Sequence, residues 1–155
     1  MTIAARLAEL KISLPSPAPP VAAYVPTVAS NGLLYLSGQL PFRVDGSLMT
    51  GRLGVDFDIE HGRLAAERCG IMLIAQIRAA LDGDLERVER IVRLGVFVAS
   101  DPHFTEQPKV ANGASELMLS VFGDAGRHAR SAIGVPVLPL NAAVEVDAII
   151  ALRPA

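Results

Sequence analysis

The chain has few of the residues that usually mark a specialised site. Cys69 is its only cysteine, so no internal disulfide can form, and no Asn-x-Ser/Thr acceptor occurs; nothing points to secretion. The three histidines, His61, His103 and His128, are scattered, and neither H-E-x-x-H nor C-x-x-C spacing is present, so no metal is expected. The phosphate-cradling loops G-x-x-x-x-G-K-S/T and G-x-G-x-x-G are missing, as is the nucleophile elbow G-x-S-x-G, and no cofactor is implied. A formal net charge of -2 supplies no basic field, which disfavours nucleic acid as a partner. No window approaches the roughly 20 uninterrupted apolar residues of a membrane span. The N-terminal "MTIAARLAEL" lacks the apolar core of a leader and reads as a short amphipathic helix, so the expected location is cytoplasmic.

What the chain does have is aliphatic bulk. Hydrophobic residues make up 51% of 155, against 19% charged and 5% aromatic, and the excess lies in Ala, Val, Leu and Ile. The length predicts a single domain, 1–155, that buries about two-thirds of its unfolded surface. So apolar a composition predicts a face covered by a partner subunit.

Residues 1–22 read as the N-terminal helix followed by a strap, since "LPSPAPPVAAYVP" from Leu14 to Pro26 carries five prolines. Asn31-Gly32, set between two strand-like runs, predicts a hairpin whose central residues both take positive φ. Asp45-Gly46 predicts a second turn in a short edge hairpin. From Ile59 to Leu81 a main helix is predicted, capped by Asp58, stopped at Gly83, with Leu64, Cys69, Met72, Ala75 and Ala79 inward. "VERIVRLGVFVAS" alternates as a strand with Val92, Leu94, Val96 and Val98 on the buried side. A second helix is expected over Thr105 to Phe122, with Val110, Ala114, Leu117 and Val121 in line, Pro108 inside the first turn and Gly123 as the stop. "RSAIGVPV" and "AAVEVDAIIAL" close the chain as strands, Glu145 and Asp147 facing away from Val144, Val146, Ala148 and Ile150. This order predicts an α+β fold in which two helices cover one face of a mixed sheet, leaving the other face for oligomerisation.

One cation stands out. Arg130 begins an apolar strand and must find an anion or leave its five donors desolvated. Either Glu145 or Asp147 of the last strand neutralises it, or a ligand carboxylate is gripped by its planar fork. Glu145 in turn either neutralises an arginine or orients a water. Ser37-Gly38 ends a strand where a ligand can approach backbone amides. Cys69 reads as a small buried hydrophobe, and "DLERVERIVR" as a solvated face.

"LLYLSGQLP", "VERIVRLGVFVAS" and "HARSAIGVPVLPLNAAVEVDAIIAL" resemble successive motifs of the RidA (YjgF, or L-PSP endoribonuclease-like) family, over essentially Ala23 to Leu152. The resemblance implies a chorismate mutase-like fold and a homotrimer with ligand clefts between subunits. It also implies hydrolysis of reactive 2-imino or enamino acids to 2-keto acids and ammonia, without metal or cofactor. By the same resemblance Arg130 binds the substrate carboxylate, Tyr24 reaches into the cleft, Gly38 presents its amide with Ser37 beside it, Glu145 stands near the attacking water, and Asn112 lines the site. Ser131 and Ala132 follow the arginine, Ala132 standing where the active branch often has cysteine. Phe104 and Asn112 are eight residues apart, a longer spacing than the family's usual four, and the first ~20 residues look like an addition found in a divergent subgroup. The alternative function is non-catalytic binding of small carboxylates such as 2-keto acids. An endoribonuclease finds little support in an acidic chain with no histidine pair.

Overall fold

The computed structural model describes residues 1–19 and 22–155, so Pro20 and Val21 of the proline strap lie outside the described residues. The described residues form an α+β layer of one five-stranded sheet and three α-helices. The helices are α1 (Ile3–Glu9), α2 (Ile59–Ala80) and α3 (Gln107–Phe122). The strands are β1 (Thr27–Ser30), β2 (Leu33–Gln39), β3 (Val88–Ala99), β4 (Ala129–Val135) and β5 (Val144–Leu152), in spatial order β1-β2-β5-β3-β4. Strands β3 and β4, joined through α3, run parallel and the other neighbouring strand pairs antiparallel, so the sheet is mixed as expected.

Local chemistry accounts for the boundaries. Ser30 pairs with Leu33 across Asn31 (φ 51°) and Gly32 (φ 74°), the two positive φ values of the predicted hairpin turn. Asp58 accepts from the His61 amide at 2.9 Å and starts α2, and Gly83 follows its end at φ 93°. Helix α3 begins at Gln107, two residues later than the spacing suggests, with Pro108 in its first turn and Gly123 as its cap. The Asp45-Gly46 turn is present, but its flanks meet only in an isolated Phe42 to Leu48 bridge instead of a hairpin.

Two predicted faces need correction. Val92 is not aligned with Leu94, because β3 carries an extra residue between Ile91 and Arg93 relative to β5. That bulge turns Ile91 into the core and leaves Val92 half-buried. In α2, Leu64 is 53% exposed, Met72 is half-buried and Ala79 is exposed. The inward stripe is Gly62, Ala65, Ala66, Cys69, Gly70, Leu73, Ile74 and Ile77, and of the predicted residues Cys69 and Ala75 are fully buried. Apolar residues surround this helix, so periodicity alone fits two stripes, and packing against both the sheet and α3 selects one. The predicted inward residues of α3 are all buried.

Helices α2 and α3 approach so closely that a Cβ on Gly113 would lie 2.0 Å from the Arg63 carbonyl oxygen. No side chain can stand there. The core between helices and sheet includes Leu34, Leu73, Ile74, Ile77, Ile91, Leu94, Met118 and Ile150. The opposite sheet face carries Val28 (52% exposed), Tyr35 (43%) and Ile133 (48%), uncovered within one copy. No helix among the described residues is long and apolar enough to cross a membrane.

Candidate functional site

Arg130 lies on the edge strand β4, in register with Leu94 of β3, so its side chain leaves the sheet on the helix-covered side. There α3 presents acceptors. Arg130 Nη1 donates to Asn112 Oδ1 at 2.9 Å and to Ser115 Oγ at 3.1 Å, and Nη2 donates to the Pro108 carbonyl at 3.4 Å. All three acceptors are neutral.

The internal ion pair with Glu145 or Asp147 does not form. Strand β3 lies between β4 and β5, and Glu145 and Asp147 pair with Phe97 and Gly95 on the sheet's other side. Asp147 meets Arg93 instead, at 3.8 Å. Arg130 enters no salt bridge among the described residues.

Just ahead of β4, and lining the same pocket as Arg130, comes His128. Its Nδ1 lies 2.7 Å from the Gly126 carbonyl, which can only accept, so the proton sits on Nδ1. Nε2 is then free to accept, and the Ser115 hydroxyl, 2.9 Å away, donates to it. Burial lowers the pKa of His128 below the usual imidazole value; the Gly126 hydrogen bond opposes this and the Arg130 charge adds to it. Ser115, His128 and Arg130, with Glu116, Leu119 and Arg127, line a pocket of about 270 Å³.

The remaining candidates gather elsewhere. Ser37 and Gly38 sit where the β2 to β5 register shifts, between Leu36 and Gln39. A Cβ on Gly38 would stand 2.1 Å from Glu145 Oε1, so glycine is what admits the carboxylate. Burial first, and the Asp147 charge second, raise the pKa of Glu145. Ser37 Oγ donates to the Val25 carbonyl at 2.8 Å, and the Ser37 amide to that of Pro26 at 2.9 Å, which ties the Tyr24 segment to the same strand end. Tyr24 itself is 60% exposed. Ser131 accepts from Arg93 Nη2 at 3.3 Å on the uncovered face, while Ala132 follows Arg130 onto the helix side.

The structure thus brings Arg130 to Asn112, and Gly38 to Glu145, but sets the two groups on opposite faces of the sheet. Sequence reasoning missed Ser115 and His128. The available signal was paired spacing: His128 and Arg130 two apart at the entry to a strand, Asn112 and Ser115 three apart on a helix. No group of three or more His, Cys, Asp or Glu side chains able to hold a metal is found among the described residues.

Residues 4–152 match the family described as "YjgF/chorismate_mutase-like, putative endoribonuclease". The chain belongs to this YjgF family. The match begins at residue 4, so all of α1 but its first residue, and the strap, fall inside it. The chain is 53% identical over 152 residues to protein TCP17 of Trypanosoma cruzi, covering 97% of this chain and 94% of that one. A crystal structure of the Agrobacterium tumefaciens protein Atu1372 is 47% identical, with a TM-score of 0.90 over 98% of this chain and 94% of that one. A more distant YjgF relative, at 25% identity over 92% of this chain and 95% of its own, is the 2-iminobutanoate/2-iminopropanoate deaminase of Dermatophagoides farinae.

Proposed function

We propose that this YjgF-family chain hydrolyses reactive 2-imino or enamino acids to 2-keto acids and ammonia, in a cleft between subunits of a homotrimer. The observation that carries the reading is Arg130: a guanidinium beside a pocket, bonded only to neutral acceptors and in no ion pair among the described residues. Such a group is prepared for a carboxylate, which neutral acceptors cannot replace electrostatically. The deaminase named among the relatives supports the same chemistry. Because Arg130 and Glu145 occupy opposite faces, one ligand meets both only where two copies adjoin, and the uncovered apolar face supplies a surface for that contact.

In this scheme Arg130 and Asn112 of one copy orient the substrate. Gly38, Ser37, Tyr24 and Glu145 of the next complete the cleft, with Ser131 and Ala132 bordering it. Water held by Glu145 attacks the C=N carbon. An imine is already electrophilic, so orientation and proton transfer suffice. The test is ammonia release from a freshly generated 2-imino acid. Wild type accelerates it, and Arg130→Ala loses at least a hundred-fold, since two charged hydrogen bonds are worth about 3–6 kcal/mol together. Equal rates for the two proteins sink the proposal. Glu145→Gln separates hydrolysis from simple carboxylate binding: a hydrolase loses turnover while keeping affinity for the keto acid.

A further inference from the structure

We infer that Ser115 and His128 form a proton relay for the ligand held at Arg130, with the Ser115 hydroxyl as the contacting group and His128 as the proton store behind it. The inference rests on the reading that Arg130 binds the substrate carboxylate. The geometry is a directional chain: Arg130 Nη1 donates to Ser115 Oγ (3.1 Å), the Ser115 hydroxyl to His128 Nε2 (2.9 Å), and His128 Nδ1 to the Gly126 carbonyl (2.7 Å). Each link fixes the next.

The last acceptor is tightly packed. A Cβ on Gly126 would stand 2.1 Å from the Met118 carbonyl oxygen, so this turn is pressed directly onto the α3 backbone. Gly126 O therefore sets the imidazole tautomer, as a carboxylate does in a Ser-His-Asp triad, but without adding negative charge. The guanidinium on the other side of Oγ stabilises negative charge that develops on it. All three side chains line the same pocket, so the hydroxyl lies beside the ligand space and is not sealed in the core.

The charged groups around His128 leave it responsive to the ligand. From β4 comes Arg130. Arg127, just before the strand, is paired with Asp124 at 3.3 Å, and Glu116 of α3 is paired with Arg63 at 2.5 Å. Neutral His128 accepts, and a carboxylate arriving at Arg130 offsets the nearby positive charge and makes protonation easier.

The proton balance is simple. Attack of water on the C=N carbon forms the C–O bond and moves the π pair to nitrogen. The water proton passes to Ser115 Oγ as the serine proton passes to Nε2. The imidazolium returns a proton through Ser115 to nitrogen, giving the carbinolamine. A second round takes the carbinolamine hydroxyl proton and delivers it to nitrogen, which leaves as ammonia while C=O forms. No oxidant or co-reactant is consumed.

The experiment uses the full chain with labelled histidine, titrated by NMR with and without saturating 2-oxobutanoate, together with pH profiles of ammonia release. The ligand is expected to raise the pKa of His128. By reciprocity its Kd tightens about three- to ten-fold as pH falls through that titration. In wild type, kcat falls as His128 becomes protonated. Ser115→Ala and His128→Gln abolish that limb, and Ser115→Thr, which keeps a hydroxyl, restores it. If 2-oxobutanoate binds but leaves the His128 titration unmoved, or if Ser115→Ala keeps the wild-type pH profile, the relay is wrong and the Arg130 reading stands. If it does not bind and imino acids are not hydrolysed, both fall.

Discussion

Replacing Gly38 by alanine separates the chemistry of Glu145 from the stability of the fold. The new Cβ would lie 2.1 Å from Glu145 Oε1, 2.9 Å from Cδ and 3.0 Å from Cγ. An ordinary carbon to oxygen contact is about 3.3 Å, so the carboxylate must retreat by roughly 1.2 Å. Glu145 is only half-buried and the crowded oxygen ends a flexible side chain, so a strained or altered rotamer costs about 0.5–1.5 kcal/mol. Alanine gains about 0.5–1 kcal/mol over glycine inside a strand, which offsets most of that. Net stability therefore changes by less than about 1 kcal/mol, a Tm shift of at most about 2–4 °C for a chain of this size. Activity does not escape so lightly, because misplacing a reacting group by about 1 Å costs on the order of a hundred-fold. The assay pairs a thermal melt with ammonia release from an imino acid generated in situ. An unchanged rate with an unchanged melt would show that the chemistry does not need the carboxylate where Gly38 admits it.

Gly113→Ala is expected to behave in the opposite way. Its Cβ would meet the Arg63 carbonyl oxygen at 2.0 Å and carbon at 2.8 Å, and backbone cannot rotate aside as a carboxylate does. The two helices must separate, costing about 3 kcal/mol or more in a urea melt, and a variant as stable as wild type would refute the close approach. Glu145→Gln changes the pH dependence of stability. Folding raises the carboxyl pKa above its ordinary 4.5, so the folded chain binds the extra proton between those values, and wild type loses stability as pH rises through that window. Glutamine removes this contribution, and parallel melts across the window that keep a constant difference between the two proteins would contradict the raised pKa.

Much of the fold was legible because the decisive signals are local. Asn31-Gly32 specifies its turn by two φ angles, Asp58 and Gly83 bracket a helix by their own hydrogen bonding and backbone freedom, and β5 alternates without interruption. What escaped depends on neighbours. The bulge before Arg93 is defined only against β5, and the α2 stripe only by where α3 packs. Arg130 was legible as an odd cation in an apolar run. Its partners were not, since the nearest carboxylates in sequence belong to a strand that β3 separates from it.

The neighbourhood of Arg130 also bears on Ala132. On β4, Arg130 and Ala132 share the helix side, with His128 just ahead of the strand, and on α3, Pro108, Asn112 and Ser115 stand at successive turns facing them. Where the resemblance sets a cysteine two residues after the arginine, this chain has a methyl group, partly buried against the core. Of these two β4 side chains, Arg130 carries only donors and Ala132 has no polar hydrogen. In the proposed relay, proton transfer on this side therefore falls to His128 and to the Ser115 hydroxyl that donates to it. Under that proposal the methyl group of Ala132 and the serine and histidine pair are two aspects of one arrangement, in which α3 instead of β4 would supply the group that touches substrate.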